Sequence, residues 1–283
     1  GPSTGMPTRT QQSDLLSCAY ASHGDTKHVM LFPEDPKESF DMSALAFDVA
    51  DRLQTPVFVM LDLDIGMNER LCEPLAWNDK HYYDRGKVLT DKTIEDLKMF
   101  GRYLDIDGDG ITYRTYPGTH AKLGSYFTRG TTKDQYANYS ESSQDYTENM
   151  ERLTKKHQTA IRLVPSPVVQ YRNAQKELGA IYFGSTSPAM QEALALLSNE
   201  NFTLNDLRIR SFPFSCEVIE FVESHRIVFI VEQNRDHQIR TLLVNELHLP
   251  QNKLVSVLHY DGTPITAQII TEKIMDHLKG KTN

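Results

Sequence analysis

The chain alternates short apolar runs with stretches of helical spacing, in two successive series. In the first, residues 11–21 have helical spacing, with Leu15, Leu16, Ala19 and Tyr20 on one side. Residues 28–32 form an apolar run suited to a buried strand. Asp35-Pro36-Lys37-Glu38 predicts a helix start: the aspartate caps, the proline suits the first helical position, and the glutamate reaches back. That helix is expected to run to about Leu53, with Phe40, Ala44, Phe47 and Leu53 near one face and Glu38, Asp41, Asp48 and Asp51 toward water. Residues 56–62 are again apolar, bounded by proline and aspartate, as in a parallel strand covered on both faces. Strand, helix, strand at this spacing reads as a βαβ crossover. Helical spacing returns over residues 91–100, through Ile94, Leu97 and Phe100, and over 143–163, through Met150, Leu153, His157 and Ile161.

Pro165-Ser166-Pro167 ends the first series, since two prolines in three residues stop a helix and make an extended linker. The second series has strands at 180–184, 207–212, 227–231 and 254–258, with helices between them and a closing helix over 266–278. Ser187 before Pro188 predicts a helix cap. The expected architecture is α/β, with domains at residues 1–165 and 166–283, each with a mainly parallel sheet. An antiparallel sandwich in either half would contradict it.

Composition narrows the function classes. A length of 283 residues suits two domains, and 39% hydrophobic with 24% charged residues is ordinary for a soluble globular protein. A net charge of −8 disfavours nucleic acid and anionic membrane as partners. No apolar run reaches transmembrane length. The three cysteines, Cys18, Cys72 and Cys216, are far apart, which reads as buried cytosolic thiols and a cytoplasmic location. The chain lacks the four cysteines an iron–sulfur cluster needs.

Several stretches carry candidate chemistry. Asp62 and Asp64 stand at a strand end, where carboxylates hold a metal, act as acid and base, or cap a turn. Asp105-Ile106-Asp107-Gly108-Asp109-Gly110 imitates a calcium loop, but its twelfth position is Tyr116 rather than a bidentate glutamate. Gly108-Asp109-Gly110 with Asn138 also imitates a diphosphate–magnesium motif, yet residues 111–137 lack the helix and buried strand such a motif encloses. An Asx-rich turn is the expected reading of this loop. His120, Lys122 and Arg129 lie in a polar loop that meets an acidic partner or substrate, or simply faces water. His157 reads as a core-edge histidine, Gly184-Ser185-Thr186 as a weak phosphate-turn signal, and Glu232-Gln233-Asn234 as a ligand site or an interface. The opening Gly1-Pro2-Ser3-Thr4-Gly5 turn is rigid and rich in hydroxyls and feeds a helix, which suits an anionic group, although on spacing alone a plain surface turn before a helix is the favoured reading.

The opening residues GPSTGMPTRTQQSDL resemble the signature of the alpha subunit of 2-oxoacid:ferredoxin oxidoreductases, especially its 2-oxoglutarate branch. HGDTKHVMLFPEDPKESFDMSALAFDVADRLQTPVFVMLDLDIGMNE, DIDGDGITYRTYPGTH and TRGTTKDQYANYSE are similar to the stretches that follow it there. The resemblance is collinear from Gly1 to about Val164, and the remainder resembles the transketolase C-terminal-like domain of the same subunit. It implies a thiamine pyrimidine-binding-type domain followed by that C-terminal domain. It also implies a reaction: 2-oxoacid, coenzyme A and oxidised ferredoxin give acyl-CoA, carbon dioxide and reduced ferredoxin. In the family, thiamine diphosphate with magnesium and the [4Fe-4S] cluster come with a beta subunit, and heterodimers associate further. Ser3, Thr4 and Thr8 are then expected to wall the 2-oxoacid pocket, with no acid, base or nucleophile from this chain. The loop after residue 62 is expected to face a subunit contact.

The family's pyrimidine-binding domain begins before the GPSTG turn. That part carries a Tyr-Pro-Ile-Thr-Pro-like loop, a glutamate facing the aminopyrimidine and an arginine that grips the substrate carboxylate. None of these stands in the 283 residues, so the chain is expected to be the C-terminal part of a longer subunit, inactive alone. The competing reading is a non-catalytic α/β scaffold or a nucleotide-binding module.

Overall fold

Asp35 starts the first long helix as its sequence predicts. Its carboxylate accepts the Glu38 N–H at 2.7 Å, and the Glu38 carboxylate reaches back to the Glu34 N–H at 2.9 Å. The computed structural model describes residues 6, 8–67, 69–80, 84–97 and 100–280. In chain order these form α1 (Leu15–Ala19), β1 (Val29–Leu31), α2 (Pro36–Leu53), β2 (Val57–Val59), α3 (Leu63–Gly66), α4 (Asp91–Leu97) and α5 (Ser143–Ala160). Then follow β3 (Val168–Gln170), β4 (Leu178–Phe183), α6 (Thr186–Asn199), β5 (Asn205–Ile209), β6 (Ser211–Phe212), α7 (Cys216–Ser224), β7 (Ile227–Glu232), α8 (Gln238–Leu247), β8 (Leu254–Leu258) and α9 (Ala267–Leu278). No helix among the described residues is long and apolar enough to cross a membrane.

The strands form two sheets. In the first, β1 pairs parallel with β2, Val29 opposite Val57, and antiparallel with β6. The second has the order β3-β5-β4-β7-β8, parallel throughout except for β3 at its edge. The apolar run at 207–212, expected as one strand, serves both sheets. Its first part pairs with β4, the chain turns at Arg210, and Ser211–Phe212 crosses to β1. Periodicity cannot show such a transfer, because both parts are equally buried.

The transfer joins the cores. Leu15, Met30 and Phe32 pack in one cluster with Ile181, Leu207, Phe212, Phe221 and Ile230. An ion cluster crosses the same boundary: Glu38 on α2 receives the Arg208 guanidinium at 2.6 Å and the Arg210 guanidinium at 2.7 Å.

Other expectations change in detail. Helix α2 buries Met42, Asp48, Val49 and Leu53, while Phe47 is 74% exposed. The helix carries apolar residues on more than one side, and its neighbours rather than its pattern choose the buried face. Helix α6 begins at Thr186, so Ser187 is inside it rather than its cap. The hydroxyl of Ser187 donates instead to the Glu34 carboxylate. The helix expected over 11–21 is confined to five residues, because the chain before it is hydrogen-bonded to Gln233, just beyond β7. Cys72 and Cys216 are exposed and Cys18 is half-buried, which corrects the expectation of buried thiols. Their surroundings are set by loop and helix-end positions that cysteine chemistry does not encode. His157 lies at a core edge against Phe212, at 5.2 Å between ring centroids, and burial pushes its pKa down to about 4.

Candidate functional site: a filled switch point

In the second sheet, β4 is followed across α6 by β5 on one side, while β7 lies on its other side. The strand order therefore reverses between β4 and β7. Open α/β sheets bind ligands beyond the carboxyl ends of the strands at such a point. Here those ends are Phe183-Gly184-Ser185 and Glu232-Gln233-Asn234.

Gln12, from the amino-terminal segment, fills the crevice and is 8% exposed. Its backbone N–H donates to Gln233 O at 2.9 Å, and its Oε1 accepts the Gln233 N–H at 3.0 Å. Its backbone carbonyl accepts from Asn234 Nδ2 at 3.1 Å. Its Nε2 faces Thr186 Oγ1 at 3.3 Å and Phe183 O, Ser185 Oγ and Asp62 Oδ2 at 3.4 Å. Gln233 Nε2 donates to Ser185 Oγ at 2.9 Å, and the Ser185 hydroxyl donates to the Asp62 carboxylate. A side-chain amide has two donors and a two-lone-pair acceptor, and burial without partners costs about 1–3 kcal/mol per group. The Gln12 amide meets this demand through the Gln233 backbone and its hydroxyl and carbonyl neighbours, and the Gln233 amide through Ser185, Thr186 and the Ile265 N–H.

The stitching continues along the segment. Gln238 Oε1 accepts the Leu16 N–H at 3.1 Å, and Gln238 Nε2 donates to Ser13 O at 2.6 Å. The Thr10 N–H donates to Gly262 O at 3.2 Å. Residues 10–16 are thus sewn onto the end of β7 and the start of α8. Glu232, fully buried, serves the same helix start: its carboxylate accepts the Ile239 N–H at 2.9 Å and Asn234 Nδ2 at 2.6 Å. Burial raises its pKa despite these bonds. The Ser185 and Thr186 hydroxyls are spent inside the protein, so the weak phosphate-turn signal has a structural cause. Asp62 caps α3 by accepting the Ile65 N–H at 3.2 Å, the turn-capping option among its readings.

Sequence reasoning did not single out Gln12. Its partners lie 171 and 221 residues away in the chain, and no local spacing announces them. Of the three residues expected at a substrate pocket, Ser3 and Thr4 lie outside the described residues. Thr8 is described: it is exposed, with a φ of 51°, and its carbonyl accepts from Arg9 Nη1 at 3.1 Å. It stands two residues before the stitched segment.

The acidic loop is an Asx-type turn. The Asp105 carboxylate accepts the N–H groups of Gly108, Asp109 and Gly110 at 2.9, 3.2 and 2.8 Å. Lys87 Nζ sits where a cation would, 2.6 Å from Asp107 and 2.8 Å from Asp109, and also donates to Ile111 O at 2.9 Å. Its hydrogen bond holds the Asp107 carboxyl below the usual carboxylate value. Calcium titrated calorimetrically into the protein is expected to show no micromolar or tighter site. A tight site abolished by Asp107→Ala would overturn this.

Asn138, the other half of the apparent diphosphate motif, is engaged by Asp134 at 3.0 Å. His120 organises its own loop: Nδ1 accepts the Lys122 and Leu123 N–H groups at 3.0 and 2.8 Å, and Nε2 faces Glu95 at 3.5 Å. Lys122 and Arg129 are exposed.

Comparison with known proteins gives the class first. Residues 1–99 match the family model described as "Pyruvate flavodoxin/ferredoxin oxidoreductase, thiamine diP-bdg". The fold is similar to part of a solved 2-oxoglutarate:ferredoxin oxidoreductase from Magnetococcus marinus: TM-score 0.83 at 20% identity, over 98% of this chain and 47% of that one. More particularly, the chain resembles alpha subunits of 2-oxoacid:ferredoxin oxidoreductases along nearly its whole length. It is 28% identical to the Saccharolobus solfataricus alpha subunit over 97% of this chain and 43% of that subunit. It is 30% identical to the alpha subunit of Aeropyrum pernix oxidoreductase 2 over 94% of this chain and 40% of that subunit. It is 24% identical to the 2-oxoglutarate synthase subunit KorA of Methanocaldococcus jannaschii over 81% of this chain and 58% of that subunit. These relatives are subunits of oxidoreductase enzymes. The chain spans less than half the length of the first two.

Proposed function

We propose that this chain is the alpha-subunit part of a thiamine-dependent 2-oxoacid:ferredoxin oxidoreductase acting on 2-oxoglutarate or a related 2-oxoacid, with a division of labour between residues 1–165 and 166–283. The observation that carries the reading is the filled switch point. Gln12 and its neighbours occupy the crevice where a free-standing nucleotide-binding module would take its ligand, so that alternative loses its site there. The same stitching holds the segment that follows the GPSTG turn, which supports a role in presenting that turn to a site shared with another subunit.

Among the described residues, the apparent diphosphate–magnesium motif and the Gly184-Ser185-Thr186 turn are spent on the protein's own contacts. Asp109 is engaged by Lys87 and Asn138 by Asp134. Ser185 and Thr186 are engaged by Gln12 and Gln233. No group of three or more metal-ligating side chains occurs among the described residues. In this reading thiamine diphosphate, magnesium and the [4Fe-4S] cluster belong to a beta subunit, heterodimers self-associate in the cytoplasm, and ferredoxin and coenzyme A meet the assembled complex. The chain's own part is to bind and orient. A carboxylate and carbonyl must be held before charge moves, and a Gly-bounded turn can aim hydroxyls and N–H groups at that anion.

Two experiments test this. Affinity purification of the native protein should bring down a partner with a brown iron–sulfur chromophore; a colourless monomer would refute it. In the reconstituted complex, Thr4→Val should lower kcat/KM for 2-oxoglutarate about ten- to a hundredfold, the loss of one hydrogen bond to a charged group, without altering assembly or cluster content. Unchanged kinetics would remove Thr4 from the pocket.

A further inference from the structure

A second feature lies away from the switch point. Phe100, Arg102, Tyr126, Phe127, Arg129 and Tyr139 border a depression of about 390 Å³. Its volume is within the range of small-molecule sites. Phe127 is 80% exposed, Tyr139 50% and Tyr126 45%. Several large rings left in water around one hollow mark a surface that binds something.

The chain has a net charge of −8, and Arg52, Arg85, Arg114, Arg208 and Arg210 all reach carboxylates. Among the described residues, none with a carboxylate borders the depression. Arg102 donates to Thr112 Oγ1 at 2.8 Å and lies 5.4 Å from the Tyr103 ring, so it is held without being neutralised. Arg129 has no acidic partner among the described residues.

The wall is built in advance. The Asp134 carboxylate accepts the N–H groups of Tyr136 and Asn138, both at 2.9 Å, and closes the loop that carries Tyr139. Ala137 in that loop has a φ of 72°, a conformation an alanine holds only when its surroundings impose it. Tyr139 packs on Gly130, where a Cβ would come within 2.7 Å of its ring.

Flat rings take a planar heterocycle by stacking, and guanidinium forks take phosphate oxygens. Two uncompensated arginines suit a dianion better than a single carboxylate. We propose that this depression binds a nucleoside phosphate, its base against Tyr126, Phe127 and Tyr139 and its phosphate between Arg102 and Arg129.

The test is calorimetric titration of the intact protein with ADP, adenosine and inorganic phosphate. ADP is expected to bind at least tenfold more tightly than either part. Arg129→Gln, an exposed change, should weaken ADP about tenfold or more. Phe127→Ala should weaken ADP and leave inorganic phosphate unaffected. Circular dichroism checks that both variants fold. The proposal falls if millimolar ADP does not bind, if phosphate alone binds as tightly as ADP, or if neither variant changes ADP affinity. It does not depend on the oxidoreductase reading, because none of these measurements involves 2-oxoacid turnover.

Discussion

Glu38→Gln is expected to destabilise the protein by about 3 kcal/mol, measured by urea or thermal unfolding. Glu38 is 13% exposed at its side chain and Arg208 8%, so their pair is largely out of water. Neutralising one partner leaves a buried guanidinium short of compensation, which typically costs about 3–5 kcal/mol. The lower end applies because Glu34 still reaches Arg208 at 3.2 Å. The loss should exceed that of an ordinary surface substitution, because this cluster ties α2 to the strands that serve both sheets.

The same residue gives a pH signature. Burial alone would raise the Glu38 carboxyl, but the hydrogen bond and charge of Arg208, with help from the Glu34 amide and Arg210, hold it below its ordinary value. The unfolded state therefore binds its proton more readily. This stabilisation is fully present above the unfolded carboxylate value, near 4.3, and fades as pH falls through the lower folded value. The gap between wild type and Glu38→Gln should narrow as pH drops below about 4. A gap independent of pH would mean that the cluster contributes packing rather than charge.

Gly110→Ala should cost about 3 kcal/mol or more, and Gly118→Ala only about 1. Both glycines have positive φ, 82° and 86°, so an alanine at either is strained. They differ in their surroundings. A Cβ on Gly110 would come within 2.3 Å of Lys156 N and 2.6 Å of Arg152 O, whereas one on Gly118 would meet nothing within 4 Å. The acidic loop lies directly against the backbone of α5, with Thr159 Oγ1 donating to Asp109 O at 2.7 Å and Arg152 Nη1 to Gly110 O at 3.2 Å. Moving either backbone breaks these bonds. Equal losses in the two variants would show that conformation alone, not close approach, requires Gly110.

The comparison between sequence and structure is clearest at particular residues. Asp35-Pro36-Lys37-Glu38 placed the start of α2 correctly, because a cap acts over three or four residues and its chemistry is local. The apolar runs at 28–32, 56–62, 227–231 and 254–258 each hold a strand, since a buried strand needs such a run whatever its partners. The acidic loop is legible for the same reason, its Asp105 carboxylate satisfying the next few N–H groups. GPSTGMPTRTQQSDL pointed to the alpha subunits that the comparisons also reach, although Ser3 and Thr4 lie outside the described residues.

What the sequence by itself determined, then, is the α/β class, most of the buried strands and long helices, the cap of α2, the acidic turn, and the family resemblance. All of these follow from interactions spanning a few residues or from the apolar pattern of one element. Only the tertiary structure decided that Arg210 divides one apolar run between two sheets, that Phe47 faces water while Asp48 is buried, that Lys87 stands in the place of a cation, and that Gln12 closes the switch point. Each of these depends on groups far apart in the chain. Burial, desolvation and hydrogen-bond satisfaction are properties of what surrounds a residue, and that neighbourhood exists only once the chain has folded.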